Sequence, residues 1–132
     1  MTDTVNHPPH YNQGGPIGED GTAQFEVIKI IDDLGWGFAF CMGNALKYVL
    51  RAPHKGTEAD DLKKAQWYLR RAGHYQEPTT RVVPQRTVNI DEATKAWELT
   101  YDKAALAVAV EAISDGDSVR ALTFIARYEA KT

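Results

Sequence analysis

Cysteine is nearly absent from this sequence: Cys41 is the single thiol in 132 residues. An internal disulfide is excluded, and the composition suits a reducing compartment. Long hydrophobic runs are missing too. The most apolar stretch, Trp36 to Leu46, is broken by Gly37, Gly43 and Asn44, far short of the ~20 residues that span a bilayer. The opening MTDTVNHPPH has neither a basic n-region nor an apolar core, so no membrane association and a cytoplasmic location are expected. Positive charge is not in excess. Fifteen Lys and Arg face 18 Asp and Glu, for a net charge of −3. Such a surface does not suit nucleic acid, and an anion would have to be met by a local cluster. Familiar catalytic signatures are also lacking. There is no G-x-x-x-x-G-K-[ST] loop and no G-x-S-x-G elbow. The GWGFAFCMGN segment has no strand before it and matches a dinucleotide loop only superficially.

What remains is a globular composition, with 43% apolar and 25% charged residues, enough for one domain with a core. The reading is all-α: a compact bundle of about five helices behind a structured N-terminal His/Pro loop. Residues 1–22 hold three of the six prolines and read as that loop. A helix over 23–34 presents Phe25, Val27, Ile28, Ile31 and Leu34 on one stripe, and Gly35 stops it. A second helix over 38–51 is apolar nearly all round, which predicts a central, buried position, and Pro53 ends it. Thr57, with Asp60 three residues on, predicts a capped third helix to Ala72 with Leu62, Ala65, Leu69 and Ala72 inward. Residues 77–90 read as a linker. Asp91 is expected to cap a long helix to Ser114, and Asp115-Gly116-Asp117 turns the chain into a last helix over 118–130. The organisation expected is a core over 1–76, the linker, and a C-terminal hairpin over 91–132 packed on that core or on another subunit. Alanine-rich surface with Trp97, Tyr101, Phe124 and Tyr128 in the hairpin points to a homo-oligomer.

The second helix carries the chemistry. Asn44, Lys47 and Arg51 recur at i, i+3 and i+7, and Tyr48 joins them at i+4. This spacing puts amide, ammonium, phenol and guanidinium on one face. Cations on an otherwise apolar helix must meet acids, water or a bound anion. The third helix offers Asp61, Lys64, Tyr68 and Arg71 at i, i+3, i+7 and i+10, and the turn between them adds His54 and Lys55. Two helices joined by a short turn would line one positive groove with these stripes, where Arg gives forked donors and Lys a mobile charge. Plain pairing of Lys47 and Arg51 with Asp60 or Asp61 is the competing reading. In the opening loop, Pro8 and Pro9 stiffen the backbone that presents His7, His10 and Tyr11. Imidazole can donate to phosphate or move a proton near neutral pH. The metal alternative lacks the third and fourth ligands that zinc wants.

Four blocks, NHPPHYNQGG, FEVIKIID, GNALKYVLRAPHKG and DLKKAQWYL, lie in order between residues 6 and 72. In these the chain resembles the SaV-like family of small phage proteins, long carried as a domain of unknown function. Members include a nucleotide kinase that phosphorylates deoxynucleoside monophosphates without a recognisable phosphate-binding loop. The resemblance implies motif positions at His7, His10, Tyr11, Asn44, Lys47, Tyr48, Arg51, Lys55, Asp61, Lys64 and Tyr68. It also implies phage origin and a host cytoplasm, and it leaves the hairpin after residue 90 outside.

As an enzyme, the chain would transfer a phosphoryl group from ATP to a nucleoside monophosphate. Lys47, Arg51 and Lys55 would neutralise phosphate, and His7 or His10 would orient or accept a proton. Tyr11 or Tyr48 would stack on the base, and Asp60 and Asp61 would hold Mg²⁺ if a metal takes part. As a binding module, the same groove would sequester a nucleotide or other phosphate-bearing small molecule unchanged. A pyrophosphohydrolase reading wants paired acidic E-x-x-E and E-x-x-D helices. The comparable positions here are Glu26-x-x-Lys29 and Asp61-x-x-Lys64, which ranks it lower. A structural protein with no small-molecule ligand is the last alternative.

Overall fold

A computed structural model describes residues 26–75 and 87–132. Within them the chain forms six α-helices and no strand: α1 (Val27–Asp33), α2 (Gly37–Arg51), α3 (Glu58–Ala72), α4 (Ile90–Ala96), α5 (Ala104–Ser114) and α6 (Ser118–Ala130). Four of these close a ring. α2 packs on α3, α3 on α6, α6 on α5, and α5 back on α2. Side chains from all four fill the middle: Val49, Leu62, Leu69, Leu106, Val110 and Ile125 are fully buried. α1 leans on α2, and α4 leans on the outer side of α5.

The α2–α3 contact is close because its residues are small. Cys41, Ala45 and Val49 on α2 and Ala52 just after it recur at helical spacing, as do Leu62, Ala65, Leu69 and Ala72 on α3, all sealed from solvent. The four α3 positions are those that the sequence placed inward. α2 is not buried all round, however. Ala39, Gly43 and Lys47 are exposed, and its inner face alone meets the core. Its flat hydrophobicity reflects alanine, glycine and half-covered aromatics rather than burial on every side.

Turn chemistry sets the boundaries. Gly35 takes φ +78° just after α1, where a side chain would be strained. α2 stops before Pro53, and Ala52–His54 continue as a single 3₁₀ turn. Thr57 precedes α3, yet its hydroxyl makes no cap; it donates instead to the Asp61 carboxylate at 3.3 Å. The long fourth helix is two. α4 is capped by Asn89, whose Oδ1 accepts from the Glu92 amide at 3.1 Å, so Asp91 lies inside the helix rather than at its cap. The chain then leaves α-helical geometry, with left-handed Glu98 and Tyr101 and Leu99 buried between them, and a 3₁₀ turn over Tyr101–Lys103 leads into α5. Anchoring Leu99 in the core reverses the chain locally at two non-glycine positions, which no proline or glycine announces. Asp117 caps α6 by accepting from the Arg120 amide at 3.0 Å.

The alanine seam generates a prediction. Ala65→Leu should overpack the α2–α3 contact and lower unfolding stability by about 1–3 kcal/mol, read as a reduced urea midpoint.

Candidate functional site

The α2 and α3 stripes do meet, and they meet at Tyr48. This ring is half-buried and stacks on Tyr68 of α3, with centroids 6.0 Å apart and planes 12° from parallel. Tyr68 is 7% exposed. Phe40 and Trp67 pack against it edge-on, with centroids 5.9 and 5.0 Å away. Tyr68 is thus the backing of an aromatic platform, and Tyr48 is its accessible member. Lys47 of α2 brings its Nζ to 4.7 Å from the Tyr48 centroid, and Lys64 of α3 brings its own to 5.5 Å. Such contacts are each worth about 0.5–1 kcal/mol at an exposed site. Among the described residues neither ammonium forms an ion pair.

Asn44 lies one turn before Tyr48, and its Nδ2 donates to the Phe40 carbonyl at 2.9 Å. Its Oδ1 is the part that remains for a ligand. Arg51, half-buried, follows on the same side one turn later, and among the described residues it too has no carboxylate partner. Lys55 is exposed on the turn between α2 and α3, beside Gly56 at φ +69°. That turn is fixed by His54, whose Nε2 lies 2.7 Å from the Trp97 carbonyl. A carbonyl only accepts, so Nε2 carries the proton. Asp61, by contrast, is 6% exposed and bonded to Thr57, a buried first-turn carboxylate favoured by the helix dipole. His7, His10 and Tyr11 lie outside the described residues.

Arg71, which sequence spacing added to the α3 stripe, turns the other way. It donates to Asp32 of α1 at 2.6 Å and, through Nε, to the Tyr75 hydroxyl at 3.0 Å. Tyr75 in turn donates to Asp32. Burial opposes the Arg71 charge, but the bonds to Tyr75 and Asp32 outweigh it and hold the guanidinium above its ordinary value. Burial, with the bond to Asp32, pushes the Tyr75 phenol well up. Beneath lies Cys41, whose thiol burial pushes up to about 11 despite the nearby guanidinium. Gly37 makes room for this cluster: a Cβ there would overlap the Asp32 carboxylate and stand 2.6 Å from the Tyr75 ring. Sequence reasoning missed Asp32 and Tyr75. The missing side chain at Gly37 is the one local signal, and it reads equally well as a turn.

A cleft of about 720 Å³ lies apart from both clusters, between α4 and α5. Ile90, Leu99 and Val108 floor it; Asp91, Glu111, Asp115 and Tyr101 stand among its lining. None of the α2–α3 stripe residues reaches it. It is therefore a feature separate from the stripe. Among the described residues no group of three metal-ligating side chains occurs.

Residues 5–70 match a family model described as a protein of unknown function, DUF3310. No curated protein and no solved structure matches the chain. The matched span contains α1, α2 and nearly all of α3, and so both halves of the Tyr48 platform, while α4 to α6 fall beyond it.

Buried acids set the response to alkali. Cys41 moves from 9.0 to about 11. Burial, with a 2.8 Å bond to Glu58, moves Tyr128 from 10.0 to about 12. The folded chain holds these protons more tightly, so their contribution is complete below pH ~9 and is lost as pH rises towards 12. Denaturation at pH 8 and pH 11 should show that loss, and Cys41→Ala with Tyr128→Phe should flatten it. At pH 8 the Cys41 thiol should resist iodoacetamide until denaturant is added.

Proposed function

The chain belongs to the DUF3310 family, and we propose that its α2–α3 face binds a phosphate-bearing nucleotide. The observation that supports this is the convergence of Lys47 and Lys64, from two helices, on one half-exposed tyrosine, with no carboxylate paired to either among the described residues. Two ammoniums beside a π-face match the two parts of a nucleotide. The base stacks on Tyr48, and phosphate oxygens meet Lys47, Lys64 and Arg51. Asn44 Oδ1 accepts from a base or sugar donor, and Lys55 adds charge at the rim. Tyr68 and Asp61 serve from inside, one backing the platform and the other holding the start of α3.

The resemblance to SaV-like phage proteins extends this reading to catalysis, with a nucleoside monophosphate as acceptor and ATP as donor. In that version Lys47 and Arg51 stabilise the transferred phosphoryl group, and His7 or His10 orients the acceptor or takes its proton. Mg²⁺ is an accessory that Asp60 would help to hold. Positioning and charge stabilisation account for most of phosphoryl transfer, which makes a positive face a workable minimum. Sequestration without turnover is the second reading. It is supported by the burial of Asp61, one of the two acids that would hold Mg²⁺.

Titration calorimetry with the common deoxynucleoside monophosphates should show binding, and saturation at a hundred times Kd should stabilise the fold by about 2.7 kcal/mol. Tyr48→Ala should weaken binding by about 1–3 kcal/mol through lost stacking, and Tyr48→Phe should retain it. Lys47→Ala and Lys64→Ala should each weaken binding and reduce its salt dependence. Absence of heat and of thermal shift at millimolar nucleotide would sink the proposal. ADP formation in a coupled assay with ATP separates kinase from sequestering protein.

A further inference from the structure

One flank of α6 carries a line of cations. Arg120, Phe124, Arg127 and Lys131 recur at i, i+4, i+7 and i+11, on one side of the helix. Both guanidiniums lie over the Phe124 ring, Arg120 at 5.7 Å and Arg127 at 4.6 Å from its centroid. The two arginines are exposed, and among the described residues neither has a carboxylate partner. The ring contacts preorganise them, so less freedom is lost when they meet an anion.

The α4–α5 cleft is the complement. Its floor is apolar, with Ile90, Leu99 and Val108, and its carboxylates Asp91, Glu111 and Asp115 outnumber its one ammonium, Lys95. Asp91 is engaged with Lys95 at 3.1 Å, while Glu111 stands exposed on α5. An acid-rimmed apolar trough and a basic ridge with an aromatic at its centre therefore occur on one chain. Both lie beyond the family-matched residues 5–70.

We propose that the occupant of the cleft is a second copy of this chain, which lays its Arg120–Phe124–Arg127 ridge between α4 and α5. The uncovered edge of Phe124 meets the apolar floor, and the guanidiniums meet the acidic rim at Glu111. Because every copy owns both surfaces, two copies can satisfy each other reciprocally and close as a twofold dimer. The platform at Tyr48 lies on neither surface.

The test is a charge swap read by light scattering after size exclusion. The full-length chain should run at twice its mass at ~50 µM and fall to monomer mass as salt screens the pairs. Arg127→Glu and Glu111→Lys should each be monomeric. Mixed in equal amounts they should reassociate, because one contact in the mixed pair is native and the other is reversed in sign on both sides. That recovery also shows that neither variant is misfolded. A monomeric wild-type chain at hundreds of micromolar would overturn the proposal. So would single variants that remain dimeric, or a mixture in which neither variant rescues the other.

Discussion

The close approach of α2 and α3 is the constraint from which the rest of this molecule follows. Two helices can lie nearly in contact only where their facing side chains are short, and here Ala45, Ala52, Ala65 and Ala72 supply that shortness. Larger residues at the same positions would hold the axes apart, and the Tyr48–Tyr68 stack, which bridges the two helices at their flank, would open. The pairing of lysines from separate elements is therefore a consequence of core packing. No loop is asked to position them, and this gives the face a rigidity that a surface loop lacks.

A second constraint acts further along the same helix pair, where Arg71 lies over the Trp67 ring. Asp32, Arg71 and Tyr75 are drawn from α1, α3 and the residues just after α3, and they close over Gly37. Their carboxylate, guanidinium and phenol satisfy one another, which is the condition for keeping such groups half-buried. The cluster fastens α1, the most lightly held of the helices before residue 75, to the bundle. One end of the hairpin face thus spends its polar groups on internal bonds, while the other end leaves its cations without acids among the described residues. That asymmetry distinguishes an anchoring cluster from a candidate binding face.

Much of the architecture was legible because helical periodicity and turn residues agree over most of the chain. The inner face of α3, the stop at Gly35, the end of α2 before Pro53 and the turn at Gly116 are all written in local sequence. The split between α4 and α5 is not. It rests on the burial of Leu99 and on left-handed Glu98 and Tyr101, whose residue types give no warning. The sharing of one face by Asn44, Lys47, Tyr48 and Arg51 was legible from spacing, and so was the meeting of that face with Lys64 and Tyr68. What spacing could not decide was depth. Tyr68 and Asp61 carry polar groups at the expected register but are buried, and Arg71, in register with them, is captured by an acid 39 positions away. Long-range partners decide such cases, and a single sequence does not contain them.

The imidazole of His54 joins the turn before α3 to the segment after α4 through one proton, the one on Nε2. The brace ties the family-matched helices to the segment beyond them. A divalent cation seeking the same nitrogen would have to displace that proton and cut the brace.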